Sequence, residues 1–204
     1  MSDERGHRWF AALYDRMTGT AERGALGRAR RDLLAGLVGD VLEIGAGTGA
    51  NFAHYPVGVH VVALEPDPHM LKRARARLNE IGRTDIDVHP APAETLPVAD
   101  ASFDVVVSTL VLCTVANVAA SLAEMHRVLR PGGRVVFIEH VRGEGALGTA
   151  QDMMRPVWSY FGAGCQLNRR TEDALSGSGF SVEVAEQMKA APWLPVIVGS
   201  ATPR

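Results

Sequence analysis

Apolar and polar positions alternate along this chain with two different periods. Over 4–17, Trp9, Phe10, Leu13, Tyr14 and Met17 recur three and four residues apart, which predicts an amphipathic helix. A second helix is expected over about 21–37, with Leu26, Ala29, Leu33, Leu34 and Leu37 on one side and Gly36 and Gly39 at its end. Its arginines, Arg23, Arg28, Arg30 and Arg31, read as a solvated face; the alternative is a patch for an anionic substrate or a membrane surface. Short apolar runs then appear at 41–44, 59–64, 86–88, 103–108 and 134–139. Between them lie helical patterns. One carries Met70, Leu71, Ala74 and Leu78 behind a capping Asp67, and one carries Val118, Leu122, Met125, Val128 and Leu129 before the Arg130-Pro131-Gly132-Gly133 stop. Beyond His140 the pattern predicts a loop at 143–148, a helix over 149–161, a short helix over 171–176 capped by Thr171, and strands at 180–186 and 194–198.

Continuous apolar strands alternating with amphipathic helices predict an α/β fold, a doubly wound, seven-stranded, mostly parallel sheet covered on both faces. One domain is expected over 1–204, with N-terminal helices to 38, a core over 39–141 and later elements over 142–204. The balance of 21 Lys and Arg against 23 Asp and Glu provides no basic field, which argues against a dedicated nucleic-acid binder. Two cysteines, Cys113 and Cys165, make no disulfide framework and fit a reducing cytoplasm. The chain opens without a secretory h-region. Its longest apolar stretch, 105–115, falls short of the ~20 residues a spanning helix needs. Its histidines show no paired ligand spacing, so no metal is expected.

Val41-Leu42-Glu43-Ile44-Gly45-Ala46-Gly47-Thr48-Gly49 ends a strand and should open a helix. Glycines there let the backbone turn sharply and approach a ligand closely. Glu65 closes the next strand, where a carboxylate can accept both ribose hydroxyls of an adenosine. The loop departs from the dinucleotide pattern G-x-G-x-x-G, and Glu43 would repel a pyrophosphate. Glu43 suits a ligand with an ammonium and a sulfonium, such as S-adenosylmethionine. Glu94, after the third strand, is either an acceptor for an adenine amino group or a solvated loop acid. Met70 is either core or a contact to an adenine face.

The segments E-I-G-A-G-T-G, L-E-P-D, A-E-T-L-P, S-F-D-V-V-V and L-R-P-G-G together resemble class I S-adenosylmethionine-dependent methyltransferases over about 40–140. G-T-G-A-N-F-x-x-Y-P, D-V-V-V-S-T-L-V-L-C, E-H-V, G-C-Q-L-N-R-R-T and W-L-P-V extend the likeness to the end of the chain. They are similar to the small methyltransferase-like proteins of mammals that methylate alkyl thiols. The resemblance implies a Rossmann-like fold with an N-terminal helical lid. It places Glu43, Gly45, Ala46, Gly47 and Gly49 along the methionine part of the cofactor, Glu65 with Pro66 at the ribose, and Met70 and Glu94 at the adenine. It also places Thr109 and Leu110 beside the amino-acid moiety, with Tyr14 closing over the cofactor. The family's apolar N-terminal anchor is not seen here, which weighs against a lipid-borne substrate, and Glu94 stands where the family has Asp.

Methyl transfer from a sulfonium needs an aligned, deprotonated nucleophile and a dry site. A small-molecule thiol, with a pKa near ~8.5, needs only one nearby base or positive charge. His140 leaves the fifth strand at the edge where open α/β sheets bind ligands, and is the first choice for that base; a structural cap on the sheet edge is the alternative. Cys113 and Cys165 are pocket residues or small buried hydrophobes. Trp158, Tyr160, Phe161 and Trp193 are expected to wall an apolar pocket, with packing as their other role. The competing functions are O-, N- or C-methylation of a phenol, quinone precursor or phospholipid headgroup, and a cofactor-binding scaffold without turnover.

Overall fold

The computed structural model describes residues 19, 21–161 and 164–204, and of Tyr160 and Phe161 only the backbone. The segment 4–17, with Tyr14 and the expected lid, lies outside the described residues. In chain order the elements are α1 (Ala25–Leu34), β1 (Asp40–Ile44), β2 (His60–Leu64), α2 (Pro68–Ile81), β3 (Ile86–His89), β4 (Phe103–Thr109), α3 (Val118–Val128), β5 (Leu129–His140), α4 (Gly145–Phe161), α5 (Thr171–Gly177), β6 (Phe180–Ala191) and β7 (Leu194–Pro203).

The seven strands form one sheet in the order β3-β2-β1-β4-β5-β7-β6. The first five pair in parallel, and β7 runs antiparallel to both β5 and β6. Side chains alternate across the sheet, so each strand feeds two cores. Leu42, Ile44, Val106, Val135 and Phe137 pack with Leu122, Met125 and Leu175 on one face. Val41, Val61, Ala63, Val105, Val107 and Val136 pack with Leu34, Leu37 and Ala74 on the other. By the same alternation Glu43 and Thr109 point to the α1 side, while Ser108 and Glu139 point to the α3 side. Strand order reverses between β1 and β4, and the crevice beyond their carboxyl ends is where open sheets of this kind bind ligands.

Several local expectations hold. Asp67 caps α2 by accepting from the backbone N–H groups of His69 and Met70, with Pro68 in the first turn and Gly82 closing the helix at φ +65°. Other expectations are corrected. Helix α1 is shorter than the apolar pattern allowed, and α4 begins at Gly145 rather than after the glycine-rich loop. Thr171 does not cap α5; its hydroxyl donates to the His140 carbonyl at 3.5 Å, and Arg170 stands at the N-cap without a side-chain bond. Arg130 to Gly133 end α3 but belong to β5. They bulge out where the β4–β5 register jumps from Phe103–Leu129 to Val105–Arg134. The last two strands run on to Ala191 and Pro203 because they pair with each other along a long hairpin. Among the described residues no helix is long and apolar enough to cross a membrane.

Candidate active site

The glycine turn after β1 sits at the reversal point. Gly45 adopts φ +56°, and a Cβ there would lie 2.6 Å from Val111 Cγ2, so the turn and the loop after β4 touch at a position only glycine fills. Gly47 adopts φ +59°, but its added Cβ would meet nothing nearer than the Gly45 carbonyl at 4.0 Å. The protein leaves that face of the backbone open. Glu65, almost fully buried, accepts from the Gly47 N–H and the Asp67 N–H, both at 2.8 Å. Burial raises its pKa, and the Asp67 and Gly47 N–H groups draw it back. A carboxylate has about four acceptor positions, so two remain for hydroxyl groups. Pro66 follows on the exposed side, and Met70 is buried in the first turn of α2. An open backbone turn beside a buried acid with spare lone pairs fits an adenosine-bearing ligand.

Glu43 lies in a polar network on the α1 side. Its two oxygens accept from Asn51 Nδ2 (2.9 Å) and the Tyr55 hydroxyl (2.9 Å). Arg30, only 2% exposed, donates to Asn51 Oδ1 at 2.7 Å and Thr109 Oγ1 at 2.9 Å, and pairs through Nε and Nη2 with Glu22. Burial pushes the Glu43 carboxyl up to about 7, against the hydrogen bonds of Tyr55 and Asn51 and the charge of Arg30. A buried acid of this kind gains its charge most readily when a cation arrives, which suits an ammonium or sulfonium ligand. Thr109 joins this network, and Leu110 follows at φ +60°, a conformation non-glycine residues seldom adopt and one concentrated at functional sites. Arg30 therefore does not belong to the solvated face expected of its helix.

Glu139 holds the loop after β4. Its Oε1 accepts from Ser108 Oγ (2.7 Å), Val111 N (3.0 Å) and Leu112 N (3.1 Å), and its Oε2 is buried without a partner among the described residues. Burial raises its pKa. On the next β-strand residue, His140 is 2% exposed; its Nδ1 faces Cys165 Sγ at 3.9 Å and its Nε2 is buried without a partner among the described residues. Cys113, in the turn after β4, completes a cluster in which one donor atom from each of Cys113, His140 and Cys165 lies within 4.8 Å of the others. Gln166 N donates to the Cys113 carbonyl at 2.7 Å, tying the two cysteine segments together. The Cys113 thiol contact and the neighbouring His140 hold the Cys165 thiol well below its ordinary range, with Trp158 adding to the effect. Its partner Cys113 is pushed up by that same contact and by burial.

The structure thus brings together Glu43, Gly45, Gly47, Glu65 and Thr109 on one side of the crevice, and Cys113, His140, Cys165 and Trp158 beyond the β5 end. Ala46 is buried within the glycine turn, and Gly49 closes the turn against Phe52. Glu94 is half-buried and clamps the start of α3, its Oε1 accepting from Ala116 N and Asn117 N. Trp193 lies in the β6–β7 turn, 54% exposed, with its carbonyl accepting from Gln151. Arg30, Asn51, Tyr55 and Glu139 were not singled out from the sequence. Two signals were present: Arg30 lies four residues from both Leu26 and Leu34, on the apolar stripe, and Glu139 is an acid inside an apolar strand next to His140.

A methyltransferase-domain profile matches residues 42–137. The human thiol S-methyltransferase TMT1B is 42% identical over 171 residues, covering 80% of this chain and 70% of the relative. The human thiol S-methyltransferase TMT1A is 41% identical over 145 residues, covering 69% of this chain and 59% of the relative. Among solved structures, an S-adenosylmethionine-dependent methyltransferase from Thermotoga maritima, described as a possible histamine N-methyltransferase, superposes with a TM-score of 0.74. It is 23% identical, and the match covers 97% of this chain and 98% of that one, a likeness of fold.

Proposed function

We propose, for a chain that belongs to the S-adenosylmethionine-dependent thiol S-methyltransferase family, that the acceptor is the thiol of a small molecule and that His140 takes its proton. S-adenosylmethionine is the methyl donor, and when bound it supplies an electrophilic methyl group on a positively charged sulfur. The open glycine turn with Glu65 and Met70 would hold its adenosine, and Glu43, Thr109 and Leu110 its amino-acid end. Pro66, Glu94, Ala46 and Gly49 complete that side.

The observation that carries the proton-transfer role is the two-sided environment of His140. Nδ1 faces Cys165, and Nε2 is buried with no hydrogen-bond partner among the described residues. A Cys165 thiolate accepts from Nδ1–H, which leaves the lone pair on Nε2, as an orienting carboxylate does in a catalytic triad. The acceptor thiol gives its proton to Nε2, and its sulfur becomes the nucleophile. Cys165 acts through His140 and is a positioning residue; Glu139 fixes the loop that borders both. Cys113 and Trp158 line the same end of the crevice. The names of the relatives at about 40% identity favour a thiol over the phenol, quinone and phospholipid alternatives. Two unpaired cysteines whose sulfurs lie within 4.8 Å of each other suit a reducing compartment such as the cytoplasm.

His140→Gln tests the assignment. About 3% of an alkyl thiol is ionised at neutral pH and still reacts without a base, so kcat/KM should fall there by up to roughly 30-fold. The deficit should shrink toward high pH as the substrate ionises by itself. A deficit that stays constant with pH would make His140 a structural cap.

A further inference from the structure

Resting on the thiol assignment above, we infer that Cys165 and Cys113 form an attacking and resolving pair through which low-molecular-weight disulfides, the oxidised form of the proposed substrate class, covalently switch the site off. Four observations lead there. Cys165 is partly exposed to solvent, whereas Cys113 is 2% exposed. Both sulfurs belong to the cluster whose donor atoms lie within 4.8 Å of one another. The 2.7 Å bond from Gln166 N–H to the Cys113 carbonyl holds the residue next to Cys165 against the Cys113 backbone, so the two cysteine segments lie side by side. His140 Nδ1 stands 3.9 Å from Cys165 Sγ, where it can stabilise a charge on that sulfur. Reactive cysteines in redox sensors share these features: a stabilised thiolate, access, and a second cysteine at hand.

The chemistry balances without a further oxidant. The Cys165 thiolate attacks one sulfur of R–S–S–R. The S–S bond breaks, R–S⁻ leaves and takes a proton, and a Cys165–S–S–R mixed disulfide is left. Cys113 then gives up its proton and attacks Cys165 Sγ. The second R–S⁻ departs with that proton, and a Cys113–Cys165 disulfide closes. One small disulfide is reduced to two thiols, and two protein thiols are oxidised to one disulfide. The consequence for the site is direct: His140 loses the thiolate that orients it, and the pocket end of the crevice is cross-linked. Excess acceptor thiol reverses both steps, so the enzyme is active when its substrate is reduced and silent when it is oxidised.

The test uses the full chain, reduced and then freed of reductant, incubated with bis(2-hydroxyethyl) disulfide. Intact mass and peptide mapping should give a protein lighter by two hydrogens, with Cys113 linked to Cys165. Cys113→Ser should instead stop at a 2-hydroxyethylthio mixed disulfide on Cys165, and Cys165→Ser should form neither. Oxidised protein added to 2-mercaptoethanol and S-adenosylmethionine should show a lag in turnover that shortens as the thiol concentration rises. Wild-type protein that keeps both thiols, or that carries the adduct without closing the link, would overturn the switch. So would one equivalent of zinc on the purified protein, since ligated thiolates cannot pair. Mapping reads the protein and not its turnover: a link formed in a protein that methylates no thiol would leave the switch standing and remove the substrate assignment.

Discussion

Burial raises the Glu43 carboxyl to about 7, so its charge changes within the range in which the protein would be assayed. In the unfolded chain the same group titrates near its ordinary 4.5. The folded state therefore binds more protons between these values, and stability falls as pH rises from the lower to the upper one, by about 3 kcal/mol in all. Below the unfolded value the contribution is fully present; above about 7 it is gone. Glu43→Gln removes that slope, and thermal melts of the two proteins should converge, or cross in favour of the variant, on going from about pH 5 to pH 8. Binding of the cationic cofactor should run the other way. Wild-type affinity should rise up to about tenfold between pH 6 and 8, and the Gln variant should show a flat profile by titration calorimetry. Parallel profiles for both would place the ammonium and sulfonium away from Glu43. At this scale the sequence was legible where a residue's role follows from its place on its own element. The Asp67 cap is of that kind, and so are the positions of Glu65 at a strand end and His140 at the end of β5. It was silent where the role depends on a distant partner. Arg30 is 79 residues from Thr109, and nothing in one sequence pairs them.

The glycine turn shows the same division at the level of an element. Three glycines in alternation announced a tight turn, but not which of them faces protein and which faces space. Gly45 is pressed against Val111, whereas Gly47 has open surroundings. Gly47→Ala should cost about 1–2 kcal/mol for the left-handed backbone, a drop in Tm of roughly 2–8 °C, while cofactor binding is lost because the added methyl occupies the open face. Gly45→Ala adds overpacking of about 1–3 kcal/mol to the same strain and should lower Tm further. Melting curves with and without S-adenosylmethionine separate the two. If Gly47→Ala keeps its ligand-induced Tm rise, the cofactor does not pass over that turn. Helices and strands of the core were legible because their apolar periods are set locally. The β5 bulge and the β6–β7 hairpin were not, since strand lengths there are decided by the partner strand, as at Val184 and Glu186, where the pairing slips.

For the whole molecule, the parallel core and its reversal point follow from strand–helix alternation, and they deliver Glu65, Glu43 and His140 to one edge without any further design. The Cys113, His140 and Cys165 cluster is assembled from three segments well separated in sequence. Spacing rules that look for ligands or nucleophiles close together pass over it. In the proposed function that cluster stands at the acceptor end of the crevice, so the acceptor is the central claim. The most direct measurement is S-adenosylhomocysteine formation by the reduced full chain with an alkyl thiol, a phenol, an amine and a phospholipid dispersion at equal concentration. Turnover confined to the thiol, and reduced at neutral pH in His140→Gln, is the predicted result. Turnover on another acceptor with the thiol inert would contradict it.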